Sequence, residues 1–212
     1  MKKSIPVLLA LSMSWPHCAS AGPSGELKVH GVIKPAACTL VFANGGKVDM
    51  GVISRRLLNA GQRNLLRDEP VNFTITCDAP TRVSLNLKDN RAGSAAASAS
   101  WKPLPFLFGL GKVDSKNVGA YTLSFDERPL ADQKPARMIA TENKVDWDKS
   151  HPFLMPNRRH SWTTDDTRHI PTPFATLSGV IVLAPSVVPA SELPSQDEIP
   201  LDGMASFELN YL

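Results

Sequence analysis

The sequence of 212 residues lacks an excess of charge of either sign and has no long apolar segment. Its 23 basic and 20 acidic residues give a formal net charge of +3, which is too small a positive field to indicate nucleic-acid binding. Every apolar run is shorter than the roughly 20 residues that a membrane-spanning helix needs. We therefore expect no nucleic-acid partner, and no transmembrane segment once the N-terminus has been processed.

Signatures of catalysis and of metal binding are also missing. No G-x-S-x-G nucleophile elbow occurs, and the Gly109–Gly111 fragment lacks the context of a phosphate-binding loop. Three histidines recur at nine-residue intervals, a spacing that fits neither one helix face nor a standard set of ligands. We expect no enzyme activity, no metal and no cofactor, and we expect solvated loops around His151, His160 and His169.

The N-terminus carries the parts of a secretory signal peptide. Two lysines precede an apolar stretch, and a small-residue Ala-Ser-Ala site ends at Ala21. We predict that residues 1–21 are removed on export and that residues 22–212 form a single domain. Two alternatives stay open at this point, a buried N-terminal helix and a lipoprotein attached through Cys18.

Removal of the signal leaves two cysteines, Cys38 and Cys77, in a chain with 21 basic and 20 acidic residues and a formal charge of +1. An even number of cysteines in an oxidising compartment favours a disulfide. The bond would close a loop of about 40 residues, for which the chain-entropy model gives roughly 4 kcal/mol of stabilisation. Two free buried thiols are the alternative.

Apolar and polar residues alternate with a period of two along much of the chain, which indicates half-buried strands. The alternation covers residues 27–33, 73–77, 83–87, 106–110, 121–125 and 199–211. The continuously apolar run 179–183 predicts a strand buried on both sides. Because 18 prolines interrupt the chain, helices should be few and short. The sequence therefore predicts an all-β, immunoglobulin-like sandwich with one disulfide and long loops.

Polar and proline-rich stretches separate the predicted strands. Residues 54–69 are expected to hold a short helical turn, and residues 128–172 are expected to form a long loop region. Trp101, Trp147 and Trp162 fall in loop-like stretches, where we expect them to cap the ends of the sandwich with partial burial. Stacking on sugars, as in an adhesin, is the alternative role for these tryptophans.

Several stretches resemble chaperone–usher fimbrial subunits, also called pilin-like subunits. Residues 26–40, ELKVHGVIKPAACTL, resemble the first strand, and residues 48–53, VDMGVI, resemble the short strand after it. Cys77 follows at the spacing usual for the second cysteine. The first stretch and the CDAPT sequence also resemble a less characterised group of fimbrial-like exported proteins, described only as a domain of unknown function. The C-terminal resemblance is carried by Phe207, Leu209, Tyr211 and Leu212.

The resemblance implies an immunoglobulin-like pilin β-sandwich that lacks its last strand and leaves an apolar groove open. A periplasmic pilus chaperone would fill this groove first. The N-terminal segment of another fimbrial subunit would then replace the chaperone at an outer-membrane usher, by donor-strand complementation. On this interpretation the assembly strand and groove edge comprise Gly203, Phe207, Leu209, Tyr211 and Leu212.

The donor side is represented by Leu27 and Val29, the only apolar residues placed to fill a neighbour's pockets. Many pilins carry a glycine about fourteen positions from the end. Here Ile199 occupies that position and Gly203 comes later, which leaves the register of the last strand open and indicates a bulge or a close approach at Gly203.

The implied location is the periplasm in transit and then the fimbrium or cell surface, where the subunit would contribute to cell adhesion. Without polymerisation the protein would remain periplasmic. The alternative function is a self-complete periplasmic or surface β-sandwich that recognises a ligand or glycan through its loops.

Overall fold

The computed structural model describes residues 26–32, 37–96, 105–125, 127–143, 146–149, 152–195 and 198–212. The chain divides into two compact units, Met1–Lys34 and Pro35–Leu212. The predicted signal peptide, residues 1–21, lies outside the described residues. In the first unit, residues 26–32 are exposed and form no strand, so the strand predicted over 27–33 is wrong for this part.

The second unit is built from strands, with two 3-10 turns at Ala43–Gly46 and Arg55–Leu57. The second turn confirms the short helical turn predicted within 54–69. The strands are β1 (Cys38–Phe42), β2 (Asn64–Leu65), β3 (Glu69–Thr81), β4 (Val83–Asp89), β5 (Phe108–Gly109), β6 (Lys112–Val113), β7 (Lys116–Asn117), β8 (Gly119–Phe125), β9 (Leu130–Ala131), β10 (Lys134–Pro135), β11 (Arg137–Thr141), β12 (Asp148–Lys149), β13 (Arg159–Thr163), β14 (Phe174–Val187) and β15 (Ala205–Tyr211).

Two antiparallel sheets form a sandwich. The first sheet has the order β1-β3-β14-β8-β5, with β2 and β9 also paired to β14 and β10 paired to β9. The second sheet has the order β12-β11-β13-β4-β15, and β6 and β7 form a separate pair. The predicted fold class, an all-β sandwich, is confirmed.

The core lies between the two sheets, where the alternating residues of facing strands meet. Phe73 and Ile75 of β3 are buried on one side, and Leu85 and Leu87 of β4 are buried on the other. Trp162 of β13 fills the space beside them with no exposed surface. Full burial of one such side chain contributes roughly 1.5–3 kcal/mol, so the alternation in the sequence supplies much of the stabilisation.

The disulfide Cys38–Cys77 is present, as predicted. The two cysteines are cross-strand partners in β1 and β3, with their Cα atoms 4.0 Å apart. The bond therefore fixes β1, an edge strand of the first sheet, to the strand beside it.

Residues 128–172 correct one prediction, because they are not simply a long loop. They contain β9 to β13 and supply three of the five strands of the second sheet. In β13 the inward residues are His160 and Trp162, and both have no exposed surface. The expectation of a solvated His160 and a partly buried Trp162 is therefore wrong, since both face the core between polar neighbours. Trp147 is half-buried, whereas His151 and Trp101 lie outside the described residues.

The apolar run 179–183 corrects a second prediction. It lies in β14, which pairs with β3 on one edge and β8 on the other. Only Ile181 of the run is buried, and the rest are half-buried. Val180 and Val182 point to the face opposite Ile181 because successive side chains alternate, so the run is central in its sheet but buried on one side only.

Candidate functional site

The two sheets each end in an unpaired edge on the same side of the sandwich. β15 pairs with β4 from Ala205↔Asp89 to Tyr211↔Val83, and among the described residues no strand pairs with its other edge. β1 likewise pairs only with β3. The two edge strands approach each other through Phe42 and Phe207, whose ring centroids are 4.9 Å apart.

The apolar side chains of β15 are more exposed to solvent than side chains that face a closed core. Phe207 and Leu209 are half-buried and pack against the core cluster. Their cross-strand partners Leu87 and Leu85 are each 1% exposed. Since partners in register share one face of the sheet, the difference comes from the missing neighbour of β15 and not from the direction of the side chains.

An apolar cavity of about 370 Å³ lies between the two edges. Its floor is formed by inward residues of β8 and β14, and its walls by residues near β1 and β15. The lining residues are Phe42, Gly45, Gly46, Val48, Met50, Val71, Leu110, Tyr121, Leu123, Ile181, Leu183, Pro185, Leu201, Gly203, Met204, Ala205 and Phe207. Charged side chains do not contribute to this lining.

A second cavity of about 370 Å³ continues from the first, since Val48, Met50 and Leu201 line both. This second cavity is bordered by residues of the 49–58 stretch and of the 187–201 stretch, and it includes the polar side chains of Asp49 and Arg55. We call the two cavities together the edge groove, with a near half beside Phe207 and a far half beside Arg55.

The wall opposite β15 is the segment 47–53, in which Gly51 adopts a left-handed φ of 62°. Val48, Met50 and Ile53 are half-buried and line the edge groove, whereas Asp49 and Val52 are exposed. Residues 48–53 make no backbone–backbone hydrogen bond to any described residue. The Gly51 amide donates to the Asp49 carboxylate at 2.8 Å, and the other backbone groups of residues 48–53 are suited to pairing with another extended chain.

Gly203 lies where the chain passes close over the groove floor. A Cβ atom on Gly203 would lie 2.9 Å from Cε1 of Tyr121 and 3.0 Å from Cδ2 of Leu110. The close approach expected at Gly203 is therefore present. Burial raises the pKa of Tyr121, so its ring stays neutral and acts as an apolar surface of the groove.

Hydrogen bonds hold the segment before β15 against the floor. The Asp202 amide donates to the Leu110 carbonyl at 3.0 Å, and the Asn90 amide donates to the Met204 carbonyl at 2.9 Å. The Arg91 guanidinium forms a two-pronged ion pair with Asp202, at 2.8 Å and 2.7 Å. These contacts fix one wall of the edge groove without closing it.

The predicted assembly residues do not all lie in the groove. Gly203 and Phe207 line it, and Leu209 packs on the core beside it. Tyr211 is 53% exposed, and its hydroxyl accepts a hydrogen bond of 2.9 Å from the Cys38 amide. Leu212 is 47% exposed, and its amide donates to the Arg82 carbonyl.

Leu27 and Val29, the candidate donor residues, are 93% and 89% exposed in the first unit. Sequence reasoning missed most of the groove lining, above all Leu110, Tyr121 and Leu183. The VDMGVI stretch did contain a signal, because its alternating Val48 and Met50 turn out to line the wall.

Other chemistry is sparse in the part of the chain that the structure describes. Within that part, no group of three or more histidine, cysteine, aspartate or glutamate residues is arranged to hold a metal ion. His160 is enclosed, with its Nε2 atom accepting a hydrogen bond from the Met155 amide at 3.0 Å. His169 is half-buried. No described helix is long and apolar enough to cross a membrane.

Comparisons with known proteins give three matches. A family model described as "Protein of unknown function (DUF1120)" matches residues 27–104, which include β1 to β4 and the 47–53 wall. The "Uncharacterized protein YhcF" of Escherichia coli (strain K12) is 25% identical over 238 aligned residues, covering 99% of both chains. "Protein GltF" of the same organism is 31% identical over 119 residues, covering 48% of this chain and 47% of GltF.

The chain is thus similar to YhcF along nearly its whole length and to about half of GltF. The family match agrees, over residues 27–104 and in coarse terms, with the resemblance to a group described as a domain of unknown function. The printed names state no substrate or partner.

Proposed function

We propose that this protein is a fimbrial or fimbrial-like structural subunit whose edge groove accepts an extended strand from a partner. The observation that carries the proposal is the C-terminal strand β15, which has an apolar row facing a groove and, among the described residues, one unpaired edge. An apolar strand edge is an aggregation hazard unless another chain covers it. A covering strand is therefore needed for stability, and the same strand joins subunits.

The groove favours one kind of occupant, an extended segment with alternating apolar side chains. Its backbone would pair with the free edge of β15 and with backbone groups of residues 48–53, while its side chains would fill the two cavities. Helices and small polar ligands fit this arrangement poorly, because neither offers a row of backbone donors and acceptors beside a row of apolar side chains.

The partners that follow are a periplasmic pilus chaperone during transit, an outer-membrane usher, and other fimbrial subunits in the assembled state. Export through the signal at residues 1–21, arrival at the fimbrium or cell surface, and a contribution to cell adhesion belong to the same proposal. The proposed role is structural and involves no catalysis. Leu27 and Val29, which are exposed and separated by one residue, are the candidate donor contacts to a neighbouring subunit.

The alternative, a self-complete binding module, requires a C-terminal strand paired on both edges. Within residues 37–96 and 198–212, β15 pairs with β4 alone. Because a sandwich that already covers its edge would keep Phe207 and Leu209 buried, their partial exposure favours the subunit over the module.

The test is to supply the missing strand in the same chain. An 11-residue donor of alternating threonine and valine is joined to Leu212 of the mature protein through a short glycine–serine linker. A matched control carries aspartate in place of each valine. We expect the valine donor to raise the stability of the protein by about 3 kcal/mol, since burying even two valines contributes roughly this amount. Urea unfolding measures the gain.

A second arm appends residues 24–34 of this chain instead of the designed donor, and thereby measures whether Leu27 and Val29 can act as a donor. Equal stabilities for the valine donor and its aspartate control would overturn the proposal. In that case the unmodified protein should also unfold as a stable monomer.

A further inference from the structure

Arg55 lies at the far half of the edge groove, where it connects the two walls. Its Nη1 atom donates to the Pro194 carbonyl at 2.7 Å, and its Nη2 atom donates to the carbonyls of Ala190 at 2.9 Å and Leu193 at 3.4 Å. The planar guanidinium fork presents several donors in fixed directions, so a single side chain holds three carbonyl groups of the 190–194 turn.

Arg55 is the residue nearest to the 48–53 stretch that is hydrogen-bonded to the 190–194 turn. Beyond Arg55, the Asn59 and Ala60 carbonyls accept backbone hydrogen bonds from Ala190 and Ser191. Before Arg55, residues 48–53 have no backbone–backbone hydrogen bond to described residues. The position of Ile53 and Met50 in the groove therefore depends on how firmly Arg55 holds the end of the segment.

The 190–194 turn, which accepts the hydrogen bonds of Arg55, is followed in the chain by residues of the opposite wall. The 190–194 turn precedes Ile199 and Leu201, which line the far half together with Val48 and Ile53. Outside the groove, the Tyr211 hydroxyl and the Cys38 amide link the edge strands β15 and β1. Arg55 therefore supplies the side-chain hydrogen bonds between the two walls at the far half of the groove.

We infer that Arg55 is a positioning residue that sets the width of the far half of the edge groove and so determines how far along the groove a donor strand can bind. Arg55 does this without contacting the near half, which is held by β15 and the floor residues. The inference rests on the proposed function for the identity of the occupant. The link between the walls itself is independent of any occupant.

The first experiment uses the free protein and needs no donor. Arg55→Gln removes the fork, while Arg56→Gln is a matched control because Arg56 makes no hydrogen bond or ion pair to described residues. Limited trypsin digestion after Arg56 in Arg55→Gln, and after Arg55 in the control, reports local opening of the wall. Each rate is normalised to a peptide of the same sequence. We expect the normalised cleavage rate of Arg55→Gln to be about tenfold higher than that of Arg56→Gln, which corresponds to a loss of roughly 1.4 kcal/mol of local stability.

The global unfolding midpoint in urea should stay near that of the unmodified protein, since Arg55 lies outside the core. Arg55→Lys keeps the charge and part of the hydrogen bonding, so its normalised cleavage rate after Arg56 should lie between those of the unmodified protein and Arg55→Gln. Equal normalised cleavage in Arg55→Gln and Arg56→Gln would overturn the inference. A loss of global stability shared by Arg55→Gln and Arg55→Lys would also overturn it, because Arg55 would then support the whole fold.

The second experiment compares two appended donors, the 11-residue threonine–valine donor and a 5-residue version that covers only the near half. In the unmodified protein the longer donor should stabilise more. Arg55→Gln should reduce the added gain of the longer donor and leave the gain of the shorter donor unchanged. If neither donor stabilises the unmodified protein, the proposed function fails. If both stabilise but Arg55→Gln affects them equally, only the inference fails.

Discussion

Strands β4 and β15 lie side by side, are both seven residues long and carry the same alternation, but only β4 is buried. Val83, Leu85 and Leu87 of β4 are at most 1% exposed, whereas every residue of β15 is half-buried or exposed. β4 has β13 on its second edge, and within the described part of the chain β15 has no strand there. The comparison teaches that burial follows the number of neighbouring strands, and that an apolar row without a second neighbour marks a place for one.

One row across the second sheet makes this comparison measurable. His160 of β13, Leu85 of β4 and Leu209 of β15 are successive cross-strand partners. Their exposure rises from none at His160 to partial at Leu209. Substitutions along this row should therefore have effects that fall toward the open edge.

The largest effect is expected for the cross-strand pair Leu85 and Leu209. Leu85→Ala should lower the free energy of unfolding by about 3 kcal/mol, since it leaves a cavity in a closed part of the core. Leu209→Ala should cost only about 1 kcal/mol, because the side chain is already partly exposed to solvent. Urea unfolding of both variants measures the difference. With the valine donor appended, the cost of Leu209→Ala should rise toward that of Leu85→Ala, and equal costs without a donor would contradict an open edge.

The next effect concerns pH and the inner end of the row. Burial, followed by the nearby charge of Arg158, lowers the pKa of His160 from 6.5 to about 4. Below pH 6.5 the unfolded chain therefore binds a proton that the folded protein excludes, so the contribution of His160 to stability should fall between pH 6.5 and pH 4 and change no further below pH 4. The loss is about 3 kcal/mol. Unfolding curves across this range test it.

His160→Gln should flatten this part of the pH profile relative to the unmodified protein, because it removes the buried imidazole. A profile that keeps its slope in His160→Gln would show that another group is responsible.

A smaller effect is expected at the groove floor. Gly203→Ala places a Cβ atom against Tyr121 and Leu110, so we expect a loss of about 1–2 kcal/mol from overpacking. Gly61→Ala is a matched control, since nothing lies within 4 Å of its Cβ position. Thermal unfolding compares the two. If both glycines tolerate alanine equally, the segment before β15 is free to move away from the floor.

The smallest effect is expected at the link between the edge strands β15 and β1. Tyr211→Phe removes the hydroxyl that accepts from the Cys38 amide and should cost about 0.5–1 kcal/mol, the net contribution of one hydrogen bond. Tyr211 is half exposed, so the ring itself loses little. Urea unfolding at matched protein concentration detects the change, and a cost above about 2 kcal/mol would be too large for one such bond.

Local alternation in the sequence predicted much of the fold. The runs around Phe73, Leu85 and Leu123 each became a strand with the expected inward face, because period-two patterning is a property of neighbouring residues. The cysteine count predicted the disulfide in a different way, since Cys38 and Cys77 are the only two cysteines that remain after the predicted cleavage.

Strand β13 of the second sheet was harder to predict because most of its residues are polar. In β13, RHSWT, the inward positions are His160 and Trp162, and the outward positions are arginine, serine and threonine. Because histidine is normally counted as polar, only Trp162 stands out as apolar, and β13 shows no alternation of apolar and polar residues. The proline and charge around this strand then favoured a loop.

The groove could be predicted only at the residues that belong to its own strand. Gly203 and Phe207 followed from the C-terminal pattern, but Leu110, Tyr121 and Leu183 enter the lining through pairings of distant strands. Which strands become neighbours is decided by the whole fold, so a single local pattern cannot specify the opposite wall or the floor.

The position of β14 in the chain sets an order of events in synthesis. This 14-residue strand pairs with β2, β3, β8 and β9, so the first sheet has no centre without it. Strand β14 begins at Phe174. When the chain emerges N-terminus first, more than four-fifths of the 212 residues must appear before β2, β3, β8 and β9 can pair with β14. Until then each carries unpaired backbone, which makes late synthesis the interval in which a helper protein is most needed.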